Sequence, residues 1–141
     1  MSFFKKKKKP KYILDGGIYY FNKEHIHIGK GSTINTFGHL TAYPDAPIHI
    51  GEDTIIGPYI VINTGDHTYP ETGPVRGQGH IKSSVSIGTG VWIGARVTVL
   101  RGSIIPDGCV IGACSLVTRH CKLEEYGIYA GIPVKKIGTR R

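Results

Sequence analysis

Cysteine, tryptophan, methionine and carboxylates are all scarce in this 141-residue chain, which holds three Cys, one Trp, one Met and ten Asp plus Glu. Three cysteines cannot all pair, and none stands in a C-x-x-C spacing. That argues against a disulfide scaffold or a zinc knuckle and fits a reduced, cytoplasmic chain. No apolar run approaches the roughly 20 residues that cross a bilayer as a helix. The apolar stretch Tyr12-Ile13-Leu14 after the basic start is too short for a secretory signal. What the chain does have is glycine, 20 residues, beside an ordinary apolar content of 40%. Such a composition calls for many turns around a real core.

The net charge of +8 points first to nucleic acid, but its distribution argues otherwise. Lys5 to Lys9 and Lys11 supply six positive charges at one end, and Lys135, Lys136, Arg140 and Arg141 supply four at the other. Residues 12–134 then hold eight Lys/Arg against all ten Asp/Glu. The body is therefore no basic nucleic-acid surface. Residues 1–12 read as a solvated, disordered basic tail, with weak contact to an anionic membrane surface as the sharper alternative. Residues 13–141 read as one domain.

From Ile81 onward every sixth residue is aliphatic: Ile81, Ile87, Ile93, Val99, Ile105, Ile111 and Val117. Ile28, Ile34 and Leu40, then Ile50, Ile56 and Ile62, keep the same step. Two phase breaks interrupt it, at Tyr43–Pro47 and after His67. Glycine often follows the aliphatic, as in Gly29, Gly51, Gly57, Gly88, Gly94 and Gly112, and a small or β-branched residue lies four positions on. Neither the 3.6-residue helix period nor plain alternation describes this. A short strand plus a turn does, and such units bury their apolar face only by stacking into a solenoid.

One histidine stands apart from the rest. His67 ends Ile62-Asn63-Thr64-Gly65-Asp66-His67, and the repeat stops directly after it. The loop that follows, at about residues 68–80, carries Pro70, Gly73, Pro74, Gly77 and Gly79, turn formers that do not extend a ladder. Loops on a rigid scaffold are where sites gather.

The pattern [Ile/Leu/Val]-Gly-x-x-[small]-x, from about Ile26 to Ile137, resembles the hexapeptide-repeat acyltransferases, and among them the galactoside- and maltose-type sugar O-acetyltransferases. The resemblance implies an all-β, single-stranded left-handed parallel β-helix of three hexapeptides, or 18 residues, per coil. It also implies a homotrimer with active sites between subunits. Asn63-Thr64-Gly65-Asp66-His67 resembles the family's catalytic-histidine stretch, which makes His67 the general base that takes the proton from an acceptor hydroxyl. Val91-Trp92-Ile93-Gly94-Ala95 resembles its acetyl-CoA segment, and Ile111-Gly112-Ala113 lies one coil further on. Ala95, Ala113 and Gly131 would then form a column of small residues about 4.8 Å apart, along which a pantetheine arm can lie. By the same resemblance the Ala95 amide is the oxyanion donor and Trp92 walls the cleft. Thr118, Arg119, Pro133 and Lys136 fall at coenzyme-contacting positions, with cations facing the phosphates. Asn35 and Asp45 fall at sugar-contacting ones. Acetyl-CoA is the implied acyl donor, and no metal is expected.

The function this implies is acetyl-CoA-dependent O-acetylation of a sugar or glycan hydroxyl by direct transfer. N-acetylation of an amino sugar, nucleotide-linked or free, is the close alternative. A zinc enzyme of γ-carbonic-anhydrase type would need three imidazoles on one metal, and His25 and His27 have no third partner in sequence. A non-catalytic β-helix module would leave His67, Trp92 and the small-residue column without purpose. No Gly-rich domain precedes the repeat, against a sugar nucleotidyltransferase.

Overall fold

The structure is a computed structural model that describes residues 12–14 and 16–141. The lysine tail expected over residues 1–12 lies almost wholly outside the described residues. Short strands stack into three parallel ladders that the chain visits in rotation. The first face carries Tyr12–Leu14, Ser32–Ile34, Ile55–Ile56, Trp92–Ile93, Val110–Ile111 and Gly127–Gly131. The second carries Tyr19–Phe21, His39–Thr41, Val61–Asn63, Thr98–Val99 and Leu116–Val117. The third carries Ile26–Ile28, Ile48–Ile50, Val85–Ile87 and Ile104–Ile105. Val134–Thr139 closes the column by folding back antiparallel on Gly127–Gly131. No described helix is long and apolar enough to cross a membrane.

The six-residue step is the geometry of one face. Ile34, Ile56, Ile93 and Ile111 line the first face inward, Leu40, Ile62, Val99 and Val117 the second, and Ile50, Ile87 and Ile105 the third; all are buried. Each such side chain contributes on the order of 2 kcal/mol. The small companions sit at the corners, where their hydroxyls satisfy turn carbonyls: Ser32 Oγ donates to Gly51 O at 2.7 Å, and Thr54 Oγ1 to Gly88 O at 2.8 Å. The glycine after the aliphatic answers to closeness between coils. A Cβ on Gly51 would lie 2.5 Å from the backbone carbon of Gly88.

Register measures the coils directly. Ile87 to Ile105, Ile93 to Ile111 and Val99 to Val117 are 18-residue steps. Ile34 to Ile56 is 22 residues, the first phase break, where Tyr43 and Ala46 form a tight antiparallel bridge. Ile56 to Ile93 is 37 residues and holds the second.

That second insertion is larger than the expected loop at 68–80. Gly65–His67 and His80–Lys82 pair antiparallel as a hairpin standing off the prism. Ile81 therefore does not begin the inward column. It is 41% exposed and pairs with Asp66, and the column resumes at Val85 and Ile87. A solvent-facing hairpin strand carries the same alternation as a prism strand, so composition alone did not separate them.

Candidate active site

Two corners of the prism carry the candidate residues. At the corner between the second and third faces, His67 ends the outgoing hairpin strand with its side chain exposed. Its register partner is His80, with ring centroids 4.5 Å apart and planes tilted 43°. The hairpin is tied across its base and tip. Thr68 N donates to Gly79 O at 3.0 Å and Thr68 Oγ1 to Gln78 O at 2.7 Å. Gln78 Nε2 donates to Pro74 O at 2.9 Å and Gly73 O at 3.0 Å, while its Oε1 accepts from Glu71 N at 3.1 Å. Asp66, beside the base, accepts from Arg101 Nε at 2.6 Å, and the Arg101 side chain is only 14% exposed. A cavity of about 860 Å³ is lined by Asp66, His67, Thr68, Tyr69, Pro70, Ile81 and Arg101. A second, of about 430 Å³, is lined by His67, Val75, Arg76, Gly77 and His80. His67 stands between the two.

Asp45 reaches this corner from the first insertion. Its carboxylate lies 3.6 Å from Lys82 Nζ on the return strand of the hairpin. Lys82 in turn lies 4.9 Å from the Tyr43 ring centroid. Tyr43 packs on Gly65, where a Cβ would come within 2.5 Å of its ring. The two insertions thus brace each other, and Asp45 has a partner within the chain.

Thr118 and Arg119 belong to the same corner, two coils above the strand that leads to His67. With Asp66, Leu100, Arg101 and His120 they line a cavity of about 200 Å³. Thr118 Oγ1 contacts Cys121 Sγ at 3.5 Å, and Arg119 Nε donates to His120 Nε2 at 3.2 Å.

The other corner, between the first and second faces, holds the small-residue column. Cys114 N donates to Ala95 O and Arg96 N to Pro58 O, both at 2.9 Å. A Cβ on Gly94 would lie 2.7 Å from Ala113 N, so Ala95 and Ala113 stack closely. The Ala95 and Ala113 amides meet no acceptor among the described residues, which leaves donors free for a chain laid along the corner. Gly131 N, a coil higher, donates to Ser115 Oγ at 3.1 Å. Asn35 occupies this corner two coils below Ala95, its amide donating to Ile56 O at 3.0 Å. Trp92 lies on the adjoining first face, 56% exposed, between Ile55 and Val110. Pro133 is in the turn that reverses the chain onto Val134–Thr139. Lys136 Nζ donates to Glu124 Oε2 at 2.5 Å. That hydrogen bond, reinforced by charge, holds the Glu124 carboxyl below its usual range and raises the Lys136 ammonium.

Within one chain the expected site is divided. His67, Asp45, Thr118 and Arg119 share one corner; Asn35, Ala95 and Ala113 share the other, with Trp92, Pro133 and Lys136 on the face beside it. The small-residue column does not lead to Thr118 and Arg119, because one lies before the second face and the others after it. Sequence reasoning passed over His80 and Arg101. His80 had a signal in the turn formers between it and His67, which mark a hairpin. Arg101 had one in its 18-residue spacing from Arg119. Among the described residues no group of three or more His, Cys, Asp or Glu is placed to hold a metal ion. The stacked His27 and His49, centroids 4.9 Å apart, lie apart on the third face.

Residues 84–119 match the family model of the bacterial transferase hexapeptide (six repeats). The galactoside O-acetyltransferase of Escherichia coli strain K12 is 32% identical over 121 residues, covering 85% of this chain and 57% of that protein. The maltose O-acetyltransferase from Clostridium difficile 630 has a similar structure, with a TM-score of 0.80 and 27% identity over 92% of this chain and 67% of that one. A galactoside acetyltransferase in complex with coenzyme A gives a TM-score of 0.75 and 27% identity, over 92% of this chain and 64% of that one. The chain spans about half the length of the curated relatives it matches. Repeat, solenoid and relatives agree that the chain belongs to the hexapeptide-repeat transferase family.

Proposed function

We propose that the protein transfers an acetyl group from acetyl-CoA to a hydroxyl of a sugar or glycan, and that it works as a homotrimer with the active sites between subunits. The observation that carries this reading is the division of the site. One corner bears a base in an open cavity, and the other bears two unpaired amides on a column without side-chain bulk. Neither corner completes a transferase alone, and packing one copy's first corner beside a neighbour's second brings them face to face.

In that cleft the pantetheine arm lies along Ala95 and Ala113, exchanging hydrogen bonds with their amides. Thr118, Arg119, Pro133 and Lys136 serve the nucleotide end, where the cations neutralise phosphate. Lys136 does so as a point charge, without the bidentate grip of an arginine. Asn35 orients the acceptor, while Asp45 holds Lys82 and so steadies the hairpin. The acceptor oxygen attacks the thioester carbonyl carbon as its proton passes to the unprotonated ring nitrogen of His67. The Ala95 amide stabilises the oxyanion, a type of donor whose removal typically costs about 3 kcal/mol. The carbon–sulfur bond then breaks, and the sulfur leaves as a thiolate that takes the proton back from the imidazolium. No covalent enzyme intermediate is needed. Cys109, the buried thiol, is pushed up by desolvation and is far from a nucleophile's environment.

A coenzyme-release assay across free sugars, amino sugars, nucleotide sugars and polysaccharide fragments tests the reading, alongside the mass of the assembly in solution. Release with hydroxyl acceptors by a trimer is the expected result. Release with amino sugars alone would replace O-transfer by N-transfer. A protein that neither binds coenzyme A nor releases it would be a non-catalytic module.

A further inference from the structure

The surroundings of His67 carry more positive charge than a neutral sugar needs. Arg101 donates only through Nε, to Asp66, and its Nη1 and Nη2 meet no acceptor among the described residues. Most of the Arg101 side chain is buried, yet it lines the 860 Å³ cavity of His67. Arg76, from the hairpin loop, lines the second cavity beside His67 and His80 and has no carboxylate partner among the described residues. Against these two guanidiniums the linings of both cavities offer one carboxylate, Asp66, which Arg101 already holds. The hairpin's other carboxylate, Glu71, lines neither cavity, and Lys82 is engaged by Asp45.

A guanidinium with free N–H groups lining a cavity is a site for a carboxylate or phosphate, which it can grip through two parallel hydrogen bonds. Arg101 also lines the small cavity of Thr118 and Arg119, the residues assigned above to the coenzyme's phosphates, whereas Arg76 lines the cavity of His67 and His80, which those phosphates do not reach. The pantetheine arm separates them from the thioester, and the thioester is the end that must meet His67. The anion beside the base therefore belongs to the acceptor.

Resting on the acetyltransferase reading above, we propose that the acceptor is an anionic sugar, carrying a carboxylate or phosphate that Arg76 binds in the cavity it shares with His67 and His80, while a hydroxyl of the same molecule is presented to His67. Arg76 is then a specificity-determining residue, and the preference is electrostatic.

Matched probes test this with the full-length protein and acetyl-CoA: methyl glucuronide against methyl glucoside, and glucose 6-phosphate against glucose. At least one charged member should show kcat/KM at least tenfold above its neutral partner, and the pair that does so tells carboxylate from phosphate. The preference should shrink at high salt and fall to about threefold or less in Arg76→Gln, with the KM for acetyl-CoA unchanged. Binding of the same four sugars to the coenzyme A complex, followed by calorimetry, gives a readout that needs no turnover. Equal or better use of the neutral sugars would overturn the proposal. So would a charge preference unmoved by Arg76→Gln, or the absence of binding by both anionic probes. If coenzyme A itself does not bind, it is the acetyltransferase reading that fails.

Discussion

His67 and His80 face each other across a single register pair of the protruding hairpin, their ring centroids 4.5 Å apart. The ring of the candidate base has no hydrogen-bond partner among the described residues, so its orientation rests on this packing and on the strand beneath it. Small errors in the placement of a reacting group are costly, up to about 100-fold for 1 Å. On the proposed mechanism His80 is therefore expected to act as a positioning residue for His67.

Substitution should separate the two roles. His67→Ala is expected to lower turnover at least about 100-fold while coenzyme A still binds in calorimetry. His80→Ala should lower kcat about tenfold with the KM for acetyl-CoA unchanged, and His80→Phe should recover most of it by restoring the ring. Turnover that survives His67→Ala would remove the base assignment; an unaltered kcat in His80→Ala would remove the positioning role.

The coenzyme column can be probed from the other corner. Ala113 is exposed and stacks one coil above Ala95, so Ala113→Leu places a branched side chain on the proposed path of the pantetheine arm without crowding the core. Calorimetry should show coenzyme A binding weakened by more than tenfold, with the melting temperature nearly constant. An affinity equal to that of the native protein would mean that the coenzyme follows another path.

Much of the fold was legible because the inward positions repeat without exception in the upper coils, from Ile87 through Val117. The same rule failed at Ile81, six residues before Ile87, because a hairpin strand outside the prism is built from similar residues. The candidate site was legible residue by residue but not as an arrangement. Asp45 and Lys82 are 37 residues apart and meet only because two insertions emerge near one corner. That Ala95 and Arg119 lie on different corners follows from the faces that bracket them, and a column of small residues carries no mark of which face comes next.

Coil spacing makes a sharp stability prediction. A methyl group added at Gly51 would lie 2.5 Å from backbone atoms of Gly88, and backbone in a stacked coil cannot turn aside as a side chain can. Gly51→Ala should cost about 1–3 kcal/mol in denaturant unfolding. Gly73, in the hairpin loop, has nothing within 4 Å of the same added atom and no left-handed φ. Gly73→Ala should therefore stay within about 0.5 kcal/mol of the native protein. Equal effects at both positions would refute the coil-contact account.

The Lys136–Glu124 pair offers a test in solution that also bears on the coenzyme. The Glu124 carboxyl is lowered by its hydrogen bond from Lys136, and the Lys136 ammonium is raised by the same bond. For the carboxyl, the stabilisation is present above the ordinary glutamate range and is lost as pH falls through the lowered folded value. For the ammonium, it is present below the ordinary lysine range and is lost as pH rises through the raised one. Both groups are exposed, so the effect on folding is small and the titration itself is the measurement. Carbon NMR should place the Glu124 midpoint below that of an isolated glutamate, and Lys136→Gln should move it upward. If Lys136 serves the coenzyme's phosphates, saturating coenzyme A should draw it from Glu124 and raise the same midpoint in the native protein. A midpoint that responds to Lys136→Gln but not to coenzyme A would take Lys136 out of the coenzyme site and leave it a surface strut.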